Sequence, residues 1–256
     1  MYSREKQLQA FGRLLDIMDE LRAQCPWDKK QTFQSLSHLT VEEVYELSDA
    51  IISENNDEIK KEIGDILLHI VFYAKIASET QLFDIENVIN SLCEKLIFRH
   101  PHIYGEVKVE NEEQVKQNWE KLKLKEGKKS VLDGVPKGLP AMIKAYRIQD
   151  KVKGVGFEFE NETQTWDKVL EELSEFQTEK NPDKKAAEFG DLLFSLINYA
   201  RFTGINPEEV LEKTNLKFIS RFKKIEQLAQ QNGKNIAELT LQEQDNLWKI
   251  VKKDEF

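Results

Sequence analysis

The 256-residue sequence predicts an all-α protein built from two tandem helical modules. Apolar residues recur three and four positions apart through most of the chain, which is the spacing of one face of an α-helix. Strand signals are nearly absent. The only short alternation of apolar residues runs through Val155, Phe157 and Phe159, and it predicts either one small strand or an extended entry into a helix. An internal repeat then divides the helices into two similar sets.

The predicted helices follow one another with short breaks. Helical periodicity covers residues 8–21, 41–52, 59–76 and 85–98 in the first half, and 141–152, 165–178, 184–202, 207–230 and 241–252 in the second. Between the halves lie a polar segment around Trp119 and a stretch with glycine and proline. We therefore expect an amino-terminal module over residues 1–126, a linker over 127–140 and a carboxy-terminal module over 141–256.

Five landmarks occur in the same order in both halves. Val41–Leu47 (VEEVYEL) matches Leu170–Phe176 (LEELSEF), Lys61–Leu67 matches Ala187–Leu193, Tyr73–Lys75 matches Tyr199–Arg201, Lys95 and Arg99 match Lys217 and Arg221, and Trp119 and Lys123 match Trp248 and Lys252. Matching positions lie about 122 to 129 residues apart. Because this order is improbable by chance, the chain is expected to contain two copies of one helical module.

The charge balance and the apolar content exclude several classes of partner. Asp and Glu number 46 against 37 Lys and Arg, so the net charge of −9 would repel a nucleic acid. The most apolar stretch, Ile66–Ala77, is much shorter than the ~20 residues that span a bilayer. The amino terminus lacks the apolar core of a secretory signal. We therefore expect a cytoplasmic protein that binds neither nucleic acid nor a membrane.

Each copy carries an EExxE motif followed by an ExxD motif. The carboxylates three positions apart, which share a helix face, are Glu43, Glu46, Glu62 and Asp65 in the first copy and Glu172, Glu175, Glu188 and Asp191 in the second. An antiparallel helical hairpin would bring the two acidic pairs of a copy opposite each other. Such a concentration of charge needs a cation, because buried carboxylates without partners take up protons or destabilise the fold. Oxygen-only ligands suit Mg²⁺, with Mn²⁺ as the second choice.

Two other interpretations of these carboxylates, a solvated helix face and a di-iron bundle, are less favoured. A single ExxE motif is usually a solvated helix face, but two matched sets of four favour a metal site. A ferritin-like di-iron bundle needs Glu-x-x-His motifs, and the sequence has none. His69 is replaced by Ser195 in the second copy, and His100 and His102 lack the other ligands of a zinc site, so these histidines are expected to be structural.

A carboxylate-bound Mg²⁺ that keeps several waters is a usual partner of polyphosphates, which makes a nucleotide the natural ligand. A phosphate-binding glycine loop is missing, because Gly127–Ser130 lacks the upstream glycine at the required spacing. Lys217 and Arg221, one turn apart, could instead hold phosphate oxygens. Trp248 and Lys252 offer an aromatic plate for a base and a further cation.

The two EExxE and ExxD pairs, together with Cys25–Asp28 (CPWD), Arg99–His102 (RHPH) and Gly134–Pro136 (GVP), resemble the MazG family of nucleoside triphosphate pyrophosphohydrolases over essentially the full length. The resemblance implies an all-α fold with tandem four-helix modules that form a homodimer. It also implies Mg²⁺-dependent hydrolysis of NTPs and dNTPs to the monophosphate and pyrophosphate, in a cytoplasmic role of cleaning the nucleotide pool.

The resemblance also implies which residues act. Carried over position by position, the metal ligands are Glu172, Glu175, Glu188 and Asp191, and the nucleotide contacts are Lys168, Lys217, Arg221, Trp248 and Lys252. Attack of water on the α-phosphorus needs a carboxylate that accepts a proton. Either Glu171 or Glu175 fits this role, and the sequence leaves that choice open.

Differences between the copies favour the carboxy-terminal one as catalytic. Lys168 precedes the second EExxE where the first copy has Leu39, and Lys184 precedes the second ExxD where the first copy has Glu58. Both exchanges add positive charge that would attract a nucleotide, so Lys184 joins the candidate nucleotide contacts. The first set, Glu43, Glu46, Glu62 and Asp65, is expected to be a second and less active site.

Two alternatives remain at this point. One is a non-catalytic nucleotide or alarmone sensor, or a partner-binding protein, whose acidic sets are structural metal sites. The other is a related all-α dUTPase-like enzyme, which shares the chemistry and differs in base selectivity. Product analysis separates the first alternative from an enzyme, and a panel of nucleotides separates the second.

Overall fold

The computed structural model describes residues 3–109, 111, 114–115, 118, 122 and 130–253. Every regular element among these residues is a helix, so the all-α prediction is confirmed. The chain divides into two compact units, residues 1–109 and 110–256. Trp119 and Lys123 of the first copy lie outside the described residues, and the predicted linker is described only from Ser130.

The amino-terminal unit contains five helices among its described residues. They are α1 (Arg4–Gln24), α2 (Phe33–Ile52), α3 (Asn56–Glu79), α4 (Ile85–Arg99) and the short α5 (Pro101–Tyr104), with a 3₁₀ turn at Asp28–Lys30. α2 begins well before the predicted start at residue 41, because Thr32 caps it and accepts a hydrogen bond from the Ser35 N–H. The four long helices correspond to the four predicted ones.

The carboxy-terminal unit contains five helices between residues 130 and 253. They are α6 (Ala141–Lys153), α7 (Glu162–Thr178), α8 (Pro182–Phe202), α9 (Pro207–Gln231) and α10 (Leu241–Lys253), with a 3₁₀ turn at Ile236–Glu238. Asn161, Asn181 and Asn206 cap α7, α8 and α9 by accepting hydrogen bonds from first-turn N–H groups. These helices correspond to the five that the periodicity predicts for the second half, whereas the family resemblance implied modules of four helices.

The strand alternative for Val155, Phe157 and Phe159 is wrong. Residues 154–156 form a turn after α6, and irregular backbone leads from there into α7. Gly156 takes a φ of +89°, a conformation that favours glycine and breaks the extended path. No helix among the described residues combines the length and the apolar content needed to cross a membrane.

A helical hairpin forms the centre of each unit. α2 packs along α3 in the first unit, and α7 packs along α8 in the second. Short turns at residues 53–55 and 179–181 join the two helices of each pair, so the helices run antiparallel. In the first unit Met18, Leu36, Val71 and Phe72 form a buried cluster that joins the hairpin to α1. Each hairpin therefore places an EExxE helix against an ExxD helix.

Arg22, at the end of α1, joins three parts of the first unit. Its side chain is 9% exposed, and its Nε donates to Oε1 of Glu79 at 2.8 Å. Its Nη1 donates to the backbone oxygens of Asp28 and Gln31, and the guanidinium lies 5.6 Å from the centre of the Phe72 ring. The pair Arg22–Glu79 thus ties α1 and the following turn to the end of α3.

This pair gives the unit a pH-dependent stability. The hydrogen bond from Arg22, assisted by its charge, holds the pKa of Glu79 below the ordinary value of 4.5. A carboxyl group with a depressed folded-state pKa stabilises the fold above its ordinary pKa and loses that contribution as the pH falls. We expect Glu79→Gln to lower the free energy of unfolding by about 1 kcal/mol at pH 7, since the carboxylate is partly solvated.

Urea denaturation at pH 7 and at pH 3.5 measures this effect. The difference between the wild type and Glu79→Gln should shrink as the pH falls below about 4.5. Glu20→Gln, an exposed residue of α1, should stay within about 0.5 kcal/mol of the wild type. A difference between the wild type and Glu79→Gln that is the same at both pH values would contradict the assignment.

Candidate metal and nucleotide site

The α7–α8 hairpin brings three of the predicted carboxylates together. Glu172 of α7 and Glu188 and Asp191 of α8 each offer an oxygen, and these oxygens all lie within 4.8 Å of one another. Glu172 is buried, Glu188 is half-buried and Asp191 is exposed. We call these residues the second carboxylate cluster. It is open to solvent on the Asp191 side and closed on the Glu172 side.

The charges in the second carboxylate cluster are only partly compensated. Burial and then the charges of Glu175, Asp191 and Glu172 raise the pKa of Glu188 above its ordinary value. Lys168, one turn before Glu172, places its Nζ 2.7 Å from a Glu172 oxygen and 2.9 Å from a Glu171 oxygen. The side-chain hydrogen bonds to Glu172 and Glu171 raise the pKa of Lys168. Lys168 is therefore a permanent cation at the edge of the cluster.

A cavity of about 390 Å³ opens beside the second carboxylate cluster. It is lined by Glu175, Thr178, Glu179, Lys180 and Glu188. The Glu179 carboxylate accepts hydrogen bonds from the N–H groups of Lys180 and Asn181, each at 2.7 Å. Glu188 belongs to both the cluster and the cavity wall, so a molecule in the cavity lies next to the cluster.

The α2–α3 hairpin holds the corresponding residues of the first copy. Glu43 of α2 and Glu62 and Asp65 of α3 offer oxygens within 4.8 Å of one another, and we call them the first carboxylate cluster. Burial, followed by the charges of Asp65, Glu46 and Glu62, raises the pKa of Glu43. Glu62 is 2% exposed. Its Oε1 accepts from Lys61 Nζ at 2.8 Å, whereas its buried Oε2 has no hydrogen-bond partner.

Both clusters have the donor set of a site for a hard divalent cation. All six groups are carboxylates, and oxygen ligands suit Mg²⁺ and Mn²⁺. The unsatisfied Oε2 of Glu62 is a buried acceptor of the kind that a bound cation satisfies. Burial and the neighbouring carboxylates raise the pKa values of Glu43 and Glu188. A bound cation would offset the crowded negative charge. The residues present therefore fit a divalent metal.

The structure differs from the sequence interpretation in two respects. Glu46 and Glu175 are exposed and lie outside the tight groups of three, although their charges act on Glu43 and Glu188. Lys61 also supplies a cation to the first cluster and approaches Glu58 at 3.8 Å. The comparison of Leu39 with Lys168 and of Glu58 with Lys184 implied that the first site lacks positive charge. Lys61 supplies a positive charge there that this comparison did not include.

The remaining candidate nucleotide contacts lie on other elements. Lys184 is exposed in the first turn of α8. Arg221 of α9 places its guanidinium 5.7 Å from the ring centre of Trp248 on α10, and Phe218 lies 5.1 Å from the same ring. Lys217 and Lys252 are exposed on α9 and α10. Arg221 and Trp248, two of the candidate nucleotide contacts, thus meet on a helix pair other than the one that holds the carboxylates.

Comparison with known proteins identifies the family. A model described as the MazG nucleotide pyrophosphohydrolase domain matches residues 31–104, which include the first carboxylate cluster. Over 94% of the chain, the sequence is 42% identical to the nucleoside triphosphate pyrophosphohydrolase/pyrophosphatase MazG of Thermotoga maritima and covers 95% of that protein. The chain belongs to the MazG family.

Two other relatives match nearly the whole of this chain, and one of them is about twice as long as the matched region. The nucleoside triphosphate pyrophosphohydrolase of Escherichia coli K12 is 38% identical over 95% of this chain and 97% of its own length. The uncharacterized protein YabN of Bacillus subtilis is 44% identical over 96% of this chain, which spans 52% of that protein. The MazG resemblance stated from the sequence motifs is thereby confirmed.

Proposed function

We propose that this MazG-family chain hydrolyses nucleoside triphosphates, including deoxynucleoside triphosphates, to the monophosphate and pyrophosphate at the second carboxylate cluster. The observation that carries the proposal is the convergence of Glu172, Glu188 and Asp191 beside an open cavity. The names of the Thermotoga and Escherichia relatives support the same activity. The proposed site of action is the cytoplasmic nucleotide pool.

Mg²⁺ is the proposed cofactor, and Mn²⁺ is the expected substitute. Glu172, Glu188 and Asp191 would hold it, with Glu175 at the edge of the same site. When bound, the ion supplies charge neutralisation for the phosphates and activates water. The carboxylates of the chain supply the negative field that attracts the ion and fix its place between α7 and α8.

Glu175 is the proposed acceptor of the proton from the attacking water. It lines the cavity next to Glu188, and it lies outside the group of three that best fits the metal. Glu171, the other candidate, forms an ion pair with Lys168 at 2.9 Å. Because the Glu171 carboxylate is already engaged by Lys168 and Glu175 lines the cavity, Glu175 is favoured over Glu171.

Cationic side chains are proposed to bind the phosphates, and an aromatic side chain the base. Lys168 already adjoins Glu172, and Lys184 lies on the helix that carries Glu188. Arg221 with Trp248, together with Lys217 and Lys252, would contact the nucleotide from α9 and α10. Pyrophosphate is a good leaving group when its charge is neutralised, so these cations replace a general acid.

The carboxy-terminal copy is proposed to be the catalytic one because its cluster is more accessible. Asp191 is exposed and Glu188 borders a cavity large enough for a small ligand. Glu62, the counterpart of Glu188, is 2% exposed. A triphosphate must reach the metal for hydrolysis, so a closed cluster is better suited to binding a metal than to turnover.

Homodimerisation is part of the proposal. Large apolar side chains are exposed on the central hairpins, on α2 and α3 at Val41, Val44, Ile63, Leu67 and Ile70, and on α7 and α8 at Leu170, Phe189, Leu193 and Phe194. A continuous apolar face on a monomer is a common sign of a protein–protein interface. A second copy of the chain is the proposed partner.

Product analysis in ¹⁸O-labelled water tests the proposed reaction. The purified chain is incubated with ATP or dTTP and Mg²⁺, and the products are separated and weighed by mass spectrometry. We expect monophosphate carrying the label and unlabelled pyrophosphate, because water attacks the α-phosphorus. Label in pyrophosphate, or formation of diphosphate and phosphate, would contradict the proposal. Unchanged nucleotide would favour the sensor alternative.

A further inference from the structure

A partly buried hydrogen-bond network joins α2 to α3 one helical turn from the first carboxylate cluster. The hydroxyl of Thr40 lies 2.7 Å from Nδ1 of His69 and 2.6 Å from the hydroxyl of Tyr73. The same hydroxyl donates to the backbone oxygen of Leu36 at 3.0 Å. His69 is 7% exposed, and Phe33 stacks on the Tyr73 ring with centroids 5.8 Å apart. We call Thr40, His69 and Tyr73 the hairpin network.

The hydrogen-bond donors and acceptors of this network determine which ring nitrogen of His69 carries a proton. The Leu36 carbonyl can only accept, so Thr40 gives it the single hydroxyl hydrogen. Thr40 must then accept hydrogen bonds from both Tyr73 and His69. All three contacts are satisfied together only if Nδ1 of His69 carries a proton. Burial lowers the pKa of His69, which favours the neutral imidazole with its lone pair on Nε2.

The network lies one helical turn from the carboxylates. Thr40 precedes Glu43 by three residues on α2, and His69 follows Asp65 by four residues on α3. Residues at these spacings share a helix face. Because the helices are antiparallel, Thr40 with His69 forms one level of the hairpin and Glu43 with Asp65 forms the next. The hairpin network therefore adjoins the level of the carboxylates directly.

The carboxy-terminal unit lacks this network. Val169 and Ser195 occupy the positions of Thr40 and His69. The Ser195 hydroxyl donates to the Leu192 carbonyl of its own helix, and Tyr199, the counterpart of Tyr73, donates to Glu162 at 2.7 Å. The network is thus a feature of the first hairpin that the repeat does not require for folding.

We propose that Thr40 and His69 are positioning residues for a divalent cation at the first carboxylate cluster, where their contact holds α2 against α3 one turn from Glu43 and Asp65. The second carboxylate cluster converges without such a contact, so the network would set how firmly the first cluster holds the ion. This inference rests on the proposed metal-binding role of that cluster. The unsatisfied buried Oε2 of Glu62 is the acceptor that such an ion would meet. Groups that orient ligands without touching the ion commonly change metal affinity about 10- to 100-fold.

Manganese binding to the full-length chain tests the proposal. The background variant carries Glu172→Gln and Asp191→Asn, which removes the second carboxylate cluster. Free Mn²⁺ is measured by electron paramagnetic resonance, and we expect Thr40→Val to weaken binding about 10-fold. Thr40→Ser keeps the hydroxyl and should bind within about twofold of the background. Thr80→Val is the control and should bind Mn²⁺ as the background does. It also removes a hydroxyl, which lies just after α3 and donates to the backbone oxygen of Ala77.

The outcomes separate positioning from a purely structural role. Circular dichroism without metal checks that each variant is folded, and a purely structural role would lower stability without changing Mn²⁺ affinity. Equal affinity in Thr40→Val and the background would overturn the proposal, as would the absence of Mn²⁺ binding to the background. Neither result affects pyrophosphate release by the wild type, which tests the proposed function separately.

A second measurement does not depend on the Thr40 variants. Long-range ¹⁵N–¹H correlation spectra of the background protein report which ring nitrogen of His69 carries the proton. We expect protonation at Nδ1 and a bare Nε2. Protonation at Nε2 alone would overturn the network, because Thr40 would then have to donate to His69 and lose its bond to Leu36.

Discussion

Glu172→Ala is expected to lower the rate of pyrophosphate release at least about 1,000-fold, which is about 4 kcal/mol of transition-state stabilisation. Glu172 is the buried member of the second carboxylate cluster and lies closest to the cation of Lys168. Its removal leaves Glu188 and Asp191 without the α7 ligand. Asp191→Ala is expected to have a similar effect, because it removes one of the two α8 ligands.

The first copy offers matched controls for these variants. Glu43 occupies the position of Glu172 and Asp65 that of Asp191. Glu43→Ala and Asp65→Ala are expected to retain much of the activity, since the proposed catalytic cluster is intact. A steady-state assay of pyrophosphate release with each variant decides between the copies. Equal losses from Glu43→Ala and Glu172→Ala would contradict the assignment of catalysis to the carboxy-terminal unit.

Arg201→Ala is expected to destabilise the carboxy-terminal unit by about 3 kcal/mol. The Arg201 side chain is 4% exposed, and its Nη2 lies 2.7 Å from both carboxylate oxygens of Glu158, which is itself 18% exposed. Nη2 also donates to the Asn198 side chain at 2.8 Å. Truncation leaves the half-buried Glu158 carboxylate without its cationic partner, which is the costly outcome for an ion pair with little exposure.

The repeat supplies a control for this prediction as well. Lys75 occupies the position of Arg201 and pairs with Asp19 at 2.7 Å, but these side chains are 28% and 63% exposed. Lys75→Ala should therefore cost about 1 kcal/mol or less. Urea denaturation followed by circular dichroism measures both variants. If the two variants lose the same stability, burial does not set the strength of the pair in the carboxy-terminal unit.

Glu158→Leu provides a further check on the origin of the effect. Added to Arg201→Ala, it removes the unpaired carboxylate, so the double variant should be more stable than Arg201→Ala alone. An additive loss would contradict this account, because it would show that the two side chains contribute independently.

Much of the arrangement of the carboxylates was predictable from the repeat. The spacing in EExxE and ExxD places each carboxylate on a helix face, and two copies of the pattern distinguish a site from a solvated surface. The sequence also predicted the helical hairpin that brings Glu172 near Asp191. What it could not give was the depth of each side chain. Glu172 is buried, whereas Glu175, one turn further along α7, is exposed and lines the open cavity beside Glu188.

Other features depend on contacts that spacing does not encode. The ion pair of Lys61 with Glu62 requires a particular side-chain direction, and only the replacement of Lys61 by Ala187 in the repeat hinted at it. The sequence analysis predicts a structural role for His69, and nothing in the residue spacing indicates that Thr40 and Tyr73 contact it. The periodicity predicts that α2 begins at residue 41, whereas the capping residue Thr32 lets the helix begin at Phe33.

Anomalous diffraction from crystals soaked with Mn²⁺ and a nonhydrolysable triphosphate analogue tests the central claim most directly. We expect an anomalous peak within about 2.0–2.4 Å of oxygens from Glu172, Glu188 and Asp191, with the phosphates of the analogue bound to the same ion. Carboxylates of this cluster without an ion, while the analogue binds elsewhere on the chain, would contradict the account.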